Sequence, residues 1–337
     1  MQENGLKIKT IKIKMKKLPL LLLAFSLFNF SCSSDDSGTP VTPEPEIPEV
    51  TDDFKFLSVN SAGKIFEIGN NTGYTETIGH ITSQANLLML STICNVGSKI
   101  YAIESSYVPA PNILTIYDKV TKTTTTQQLT LPTTITTLMN DPFITNLEYN
   151  GSEFIAIVSD NMSSHNPPRM ISINPQNYQT TDLEISFTQR DVISTELINN
   201  KLYVSTQQGL LEINLTTKTI TELQANGTQI VATRLAKISN TRLALMCFVP
   251  GVVNGVKPFE YNLTNNTLTE KATGNVAGVG HPSGASIFHN DQYLNLVFTT
   301  ESKFGISKIN YEINQAQFVE LNHDLIGSNA IIVDILE

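Results

Sequence analysis

The side chains able to do chemistry are few and scattered. The five histidines, His80, His165, His281, His289 and His323, form no HxxxH or HExxH pair that would set two imidazoles around a metal ion. No Asp-rich calcium loop of the D-x-D-x-D-G kind occurs. The GxSxG elbow that exposes a serine nucleophile is missing, and neither Cys94 nor Cys247 stands in a recognisable reactive context. The segment GVGHPSGAS (278–286) is rich in glycine but leads into a strand, so it lacks the helix dipole and amide cradle of a phosphate loop. Glycoside hydrolysis needs two carboxylates at a defined separation, and Asp141 and Asp191 are the pair to consider. With no tryptophan in the chain, an aromatic platform for a sugar falls to tyrosines such as Tyr107. No resident cofactor or metal is expected; His80, His281 and Asp141 are the loosest candidates for a metal assembled from distant segments.

The elements that must position these groups come from an internal repeat. CNVGSKIYAIES from Cys94, LEYNGSEFIAIVS from Leu147, ELINNKLYVST from Glu196, KISNTRLALMCF from Lys237 and SIFHNDQYLNLVF from Ser286 each read as strand, tight polar turn, strand. Their apolar residues alternate at period 2, which sets one face of each sheet against a neighbour. Asn150-Gly151, Asn199-Asn200, Asn240-Thr241 and Asn290-Asp291 include the residues that best tolerate positive φ in hairpin turns. A second shared segment follows each hairpin, in which Asp118, Asn174, Asn214, Asn262 and Asn310 all follow an apolar residue at a strand end. An Asx side chain there closes the turn into the next strand.

Five such copies are five four-stranded sheets, and FKFLSVNS, GKIFEIGNNT and GYTETIG from Phe54 onward make a sixth that lacks its first strand. The C-terminal NAIIVDILE from Asn329 has the apolar character of an inner strand with no copy of its own, so it is expected to pair with Phe54–Asn60. The predicted fold is all-β: a six-bladed β-propeller of four-stranded antiparallel blades over residues 54–337, its ring closed by the C-terminal strand, with no long exposed edge. A seven-bladed propeller or a β-sandwich are the alternatives. The strand-turn-strand repeats ending in Asp or Asn resemble the broad class of bacterial lipoprotein and surface propellers similar to the YncE and TolB-like groups. That resemblance covers nearly all of 54–337 and implies architecture, not chemistry.

The N-terminus has its own chemistry. Lys7, Lys9, Lys12, Lys14, Lys16 and Lys17 precede the apolar run LPLLLLAFSLFNF, roughly 13 residues against the ~20 that a membrane-crossing helix needs, so residues 1–31 read as a signal peptide. Met15 is an alternative start giving the same mature chain. FSCSSDD at the end of the run resembles a relaxed lipobox, with Asn29 and Phe30 departing from the usual pattern. The resemblance implies acylation of Cys32, and two or more acyl chains hold a protein stably at a membrane. Ser33-Ser34-Asp35-Asp36 resembles the export signal of Bacteroidota lipoproteins, which implies an outer-membrane lipoprotein exposed at the cell surface, with a periplasm-facing one as the alternative. Residues 32–53, rich in Pro, Ser and acid, read as a tether.

Residues 1–31 hold six of the 22 basic and one of the 31 acidic side chains, so the mature chain carries 16 against 30, net −14. Such a surface repels nucleic acid, and no nucleic-acid partner is expected. Cys94 and Cys247 fall in the second and fifth repeats, on opposite sides of a ring, and are expected to be buried free thiols. Propeller ligands usually meet the channel mouth. The loops leading into inner strands offer His80, Asp141, Arg190, Asp191, Arg234 and His281, with Asn86, Asn140 and Asp324 beside them. The loops between second and third strands offer Tyr107 and Arg169, with His165 and Lys303. Three of these loops, SSYVPAPN, SDNMSSHNPPR and FVPGVVNGVK, are longer than their counterparts, and insertions on one face of a repeat often build a binding surface. The expected function is a non-catalytic, monomeric binding module on a lipid-anchored stalk, holding a glycan, peptide or protein at its mouth. A hydrolase or lyase with a channel-mouth site, metal-assisted or not, is the alternative.

Overall fold

The computed structural model describes residues 50–336, apart from 82–86, 106–111, 161–165, 190, 250–255, 273–285, 300 and 328. Cys32 and the tether before Val50 lie outside the described residues, as do Tyr107, His165, Arg190, His281 and most of the three long loops.

Residues 50–336 form six antiparallel sheets arranged as a six-bladed β-propeller. The inner strands of blades 3 to 6 are Phe143–Tyr149, Val192–Ile198, Ala232–Ser239 and Ile287–His289. Blade 1 takes its inner strand from the C-terminus: Ala330–Leu336 pairs antiparallel with Lys55–Asn60, setting Lys55 opposite Leu336 and Asn60 opposite Ala330. Two details depart from the repeat. Blade 2 has a split inner strand, Leu87–Leu88 and Cys94–Val96, both bonded to Lys99–Ser105 and separated by a 3-10 turn at Leu90–Thr92. Blade 4 adds a short fifth strand, Thr228–Gln229.

The alternation of each second strand explains how blades pack. Ile100 and Ala102 of blade 2 turn toward Leu57, Val59 and Ile65 of blade 1, while Tyr101 and Ile103 turn toward Phe154 and Ala156 of blade 3. The same pattern continues round the ring, so the buried apolar residues fall into six clusters, one at each blade interface. No blade buries both faces alone, which is the physical reason that the repeat must close on itself.

The Asx turns form as the repeat predicts. Asp118 Oδ1 accepts from the N–H groups of Val120 and Thr121 at 2.9 and 3.1 Å. Asn174, Asn214, Asn262 and Asn310 accept in the same way from the residues two and three further on. The hairpins follow the expectation less evenly. Asn290 and Asp291 both have positive φ, and so does Asn199, whereas Asn240 and Thr241 do not. There the strand shifts register between Lys237 and Ser239, and Ser239 Oγ accepts from Thr241 N–H, which relieves the turn of any left-handed residue.

In blade 1 the Asx position is a glycine. Gly69 opposes Lys55 as Asp118 opposes Lys99 and Asn214 opposes Lys201. The missing carboxylate arrives from outside the sheet: Asp52 Oδ1 accepts from Asn71 and Thr72 N–H at 2.8 Å each, and Oδ2 accepts from Thr72 Oγ1 at 2.7 Å. A Cβ on Gly69 would lie 2.0 Å from Asp52 Oδ2, so only glycine admits the guest carboxylate. Burial opposes ionisation of Asp52, but the bonds from the Thr72 hydroxyl and the two N–H groups outweigh it and hold its pKa below the ordinary value. Asp52→Ala should therefore cost about 1–2 kcal/mol in urea unfolding, and Gly69→Asp alone should also destabilise by steric conflict. Together they should return stability close to the parent, because the carboxylate is then supplied in place. Additive losses in the double variant would refute this account.

Candidate functional site

The inner strands of all six blades surround a central cavity of about 690 Å³, within the range of small-molecule sites. Its charged lining comes from three neighbouring positions of the ring. Glu148 lies on the inner strand of blade 3, Glu196 on that of blade 4, and Arg234 and Lys237 on that of blade 5.

Sheet register shows that several of these groups share one level. Cys94, Glu148, Glu196 and Asp334 oppose Tyr101, Ile155, Tyr203 and Leu57, in each case the second-strand residue packed toward the following blade. This level lies close to the hairpin turns. Arg234, opposite Met246, sits further toward the end where the chain enters the inner strands.

Thr195 Oγ1 donates to Glu148 Oε1 at 2.6 Å, and the Lys237 N–H donates to the Glu196 carboxylate. Protein encloses both groups on every side but the channel. Burial pushes the pKa of Glu148 up to about 7, with the Thr195 hydroxyl working against it. Glu196 is raised well above the carboxylate range, first by burial and then by the charge of Glu148, against the Lys237 N–H and ammonium. Burial, with a smaller contribution from Glu148, raises the Cys94 thiol, so it is no nucleophile. Arg234 is lowered to about 10 by burial, with Tyr293 opposing, and its Nη1 donates to the Thr233 carbonyl at 2.7 Å. Around neutral pH the pair therefore holds a proton that ordinary glutamates would have lost.

Of the ligand-binding candidates picked out in the sequence, Arg234 alone among those described lines this cavity. His80 ends the outermost strand of blade 1 and is exposed. Asp141 precedes the inner strand of blade 3, its N–H bonded to Asp160 Oδ1 at 2.8 Å, and Asp191 is exposed at φ 56° before that of blade 4. Arg169 opens the third strand of blade 3 and is paired with Asp182 at 3.3 Å. Asp141 and Asp191 are thus loop residues outside the cavity wall. Both thiols are free, in blades 2 and 5. Cys247 is buried as expected, but Cys94 is only half-buried, because one side of an innermost strand opens on the channel. Among the described residues no group of three or more His, Cys, Asp or Glu could hold a metal ion.

Glu148, Glu196 and Lys237 were not selected from the sequence, although each stands inside an aligned repeat copy. The available signal was a charge at the third or second residue before the hairpin turn, on a strand that the repeat makes an inner one.

No protein-family model matches the chain, and no curated protein matches its sequence. Solved structures share the architecture. One chain in a crystal structure of a nidogen/laminin complex superposes with a TM-score of 0.56 at 11% identity, covering 83% of this chain and 98% of that one. Puromycin hydrolase superposes with a TM-score of 0.50 at 9% identity, over 79% of this chain and 45% of the hydrolase, so this chain spans less than half of that protein. Likeness at such identity is a likeness of fold.

Proposed function

We propose that this protein is a lipid-anchored, extracytoplasmic binding module whose propeller channel holds a glycan, a peptide or a segment of a protein partner. The observation that carries the reading is the cavity, lined by polar and charged side chains from every blade and large enough for a small ligand. The anchor rests on the basic and apolar leader, the lipobox-like residues before Cys32 and the Pro-rich tether. Surface exposure at the outer membrane rests on the Ser-Ser-Asp-Asp run after that cysteine.

The test of binding is a thermal-shift panel of glycans and peptides on the purified chain, beside Ser91→Trp, which fills the channel from an exposed position of its wall. A ligand at 100 times its dissociation constant stabilises the chain by about 2.7 kcal/mol, a shift of several degrees. The shift should disappear in Ser91→Trp. A panel member that stabilises both proteins equally binds elsewhere and counts against the channel. Mass spectrometry of the mature N-terminus tests the anchor: an unmodified chain beginning elsewhere than Cys32 refutes it.

A further inference from the structure

We infer that the channel selects a small ligand carrying an ammonium group, seated against Glu148 and Glu196 at the hairpin end of the cavity. The inference rests on the channel being the binding site proposed above, and adds what the site recognises.

The geometry at this level supplies acceptors and lacks donors. Glu148 and Glu196 come from adjacent inner strands, and each has one protein donor, the Thr195 hydroxyl and the Lys237 N–H respectively. Neither forms an ion pair within 4.0 Å. Asn95, on the inner strand of blade 2, lines the same cavity. Its Nδ2 donates to Asp334 Oδ2 at 2.6 Å, and because a carboxylate only accepts, the orientation of this amide is decided. Asn95 Oδ1 is left with no donor, but it is shielded from the channel and its amide is turned to blade 1, so it takes no part in the seat. A carboxylate in a confined site without an ion-pair partner is costly. One ammonium group seated between Glu148 and Glu196 brings three N–H donors and a positive charge to both carboxylates.

The other titratable and charged groups around this level are Cys94 on blade 2, Lys237 and Arg234 on blade 5, and Asp334 on blade 1, which also feels Lys119. Lys237 is exposed and acts on Glu196 through space. In the empty channel Glu148 is half-protonated near pH 7. A bound ammonium favours the carboxylate, so that proton leaves to the solvent on binding, and affinity rises with pH.

The experiment uses the full chain with two amines, putrescine and glucosamine, and their neutral counterparts, 1,4-butanediol and N-acetylglucosamine, followed by calorimetry and thermal shift at pH 7. The expected result is binding of at least one amine and of neither counterpart, with at least a tenfold loss in Glu148→Gln/Glu196→Gln. Which amine binds separates an aliphatic amine from an amino sugar. If putrescine is the one bound, its affinity should tighten about tenfold between pH 6 and pH 8. Binding of a neutral counterpart as tight as its amine, or amine binding unchanged in the double variant, overturns the ammonium inference. If such binding is abolished by Ser91→Trp, the channel reading survives that failure. No response to either amine also overturns the inference, and the glycan and peptide panel then judges the channel reading separately.

Discussion

A chain ending at Ala330 should fail to unfold as a single cooperative unit. Ile331 and Ile332 are 1% and 3% exposed, and they pack in two different clusters, against blade 2 and against blade 6. Burying two such side chains is worth roughly 3–6 kcal/mol, a large part of the 5–15 kcal/mol that holds a whole domain together. Truncation also strips the hydrogen bonds of one edge of Lys55–Asn60, and the Ser58 hydroxyl loses the Ile331 carbonyl at 2.8 Å. A circular permutant separates loss of the strand from loss of a chain end. Leu336 opposes Lys55, so residues 329–336 can be joined ahead of Thr51 through a short turn, with new ends at Asn329 and Gly327. Blade 1 then has the ordinary hairpin of the other blades. The permutant should show one sharp urea transition near that of the parent and the truncated chain a broad or absent one. A truncated chain with the parent's midpoint and slope would contradict closure by this strand.

Glu148→Gln/Glu196→Gln should be more stable than the parent at pH 8 and no different at pH 5. Both carboxyls have raised pKa values in the folded state, so between about 4.5 and 7 the native chain binds more protons than the unfolded one. Stability from these groups is then complete below the unfolded value and lost as pH rises through the folded one. A shift of the size seen for Glu148 corresponds to about 3 kcal/mol in a dry site, and water in the channel reduces this to roughly 2 kcal/mol, or about 5 °C in melting temperature. Glutamine keeps the shape and can still accept from Thr195 Oγ1, so packing is little disturbed. Melting curves from pH 5 to pH 8 should diverge steadily, the parent falling and the variant staying level. Parallel curves would show that the pair is ionised throughout and not strained by its burial. A site that weakens its own domain at neutral pH is what a binding cavity looks like when its ligand completes the charge balance.

Much of the architecture was legible because each repeat is a local statement. Asn214 and Asn310 mark their turns through bonds to residues two and three further on, and no distant contact is needed to read them. Ile100, Tyr101, Ala102 and Ile103 announce two apolar faces by alternation, and two faces demand two neighbours. The orphan strand at the C-terminus could be matched to the incomplete first copy by counting alone. Elsewhere tertiary burial overrides local propensity. The β-branched run Thr133–Thr136 favours a strand, yet it forms a helical turn that places Ile135 at 0% exposure under the interface of blades 2 and 3.

What the sequence determined by itself was therefore the repeat unit, its turns and the need for a closed ring, since these depend on neighbours within a hairpin and on period-2 patterning. Only the tertiary structure decided which residues meet at the centre. Cys94, Glu148 and Glu196 are about fifty residues apart from one to the next in the chain, and equivalent positions in successive blades become neighbours only when the inner strands converge on one axis. Asp52 reaches the turn at Gly69 by a shorter route, because the first hairpin sets Lys55 opposite Gly69 and so lays the residues before Lys55 over that turn; the centre of the ring has no such local cause, and proximity made by closure leaves no trace in local spacing.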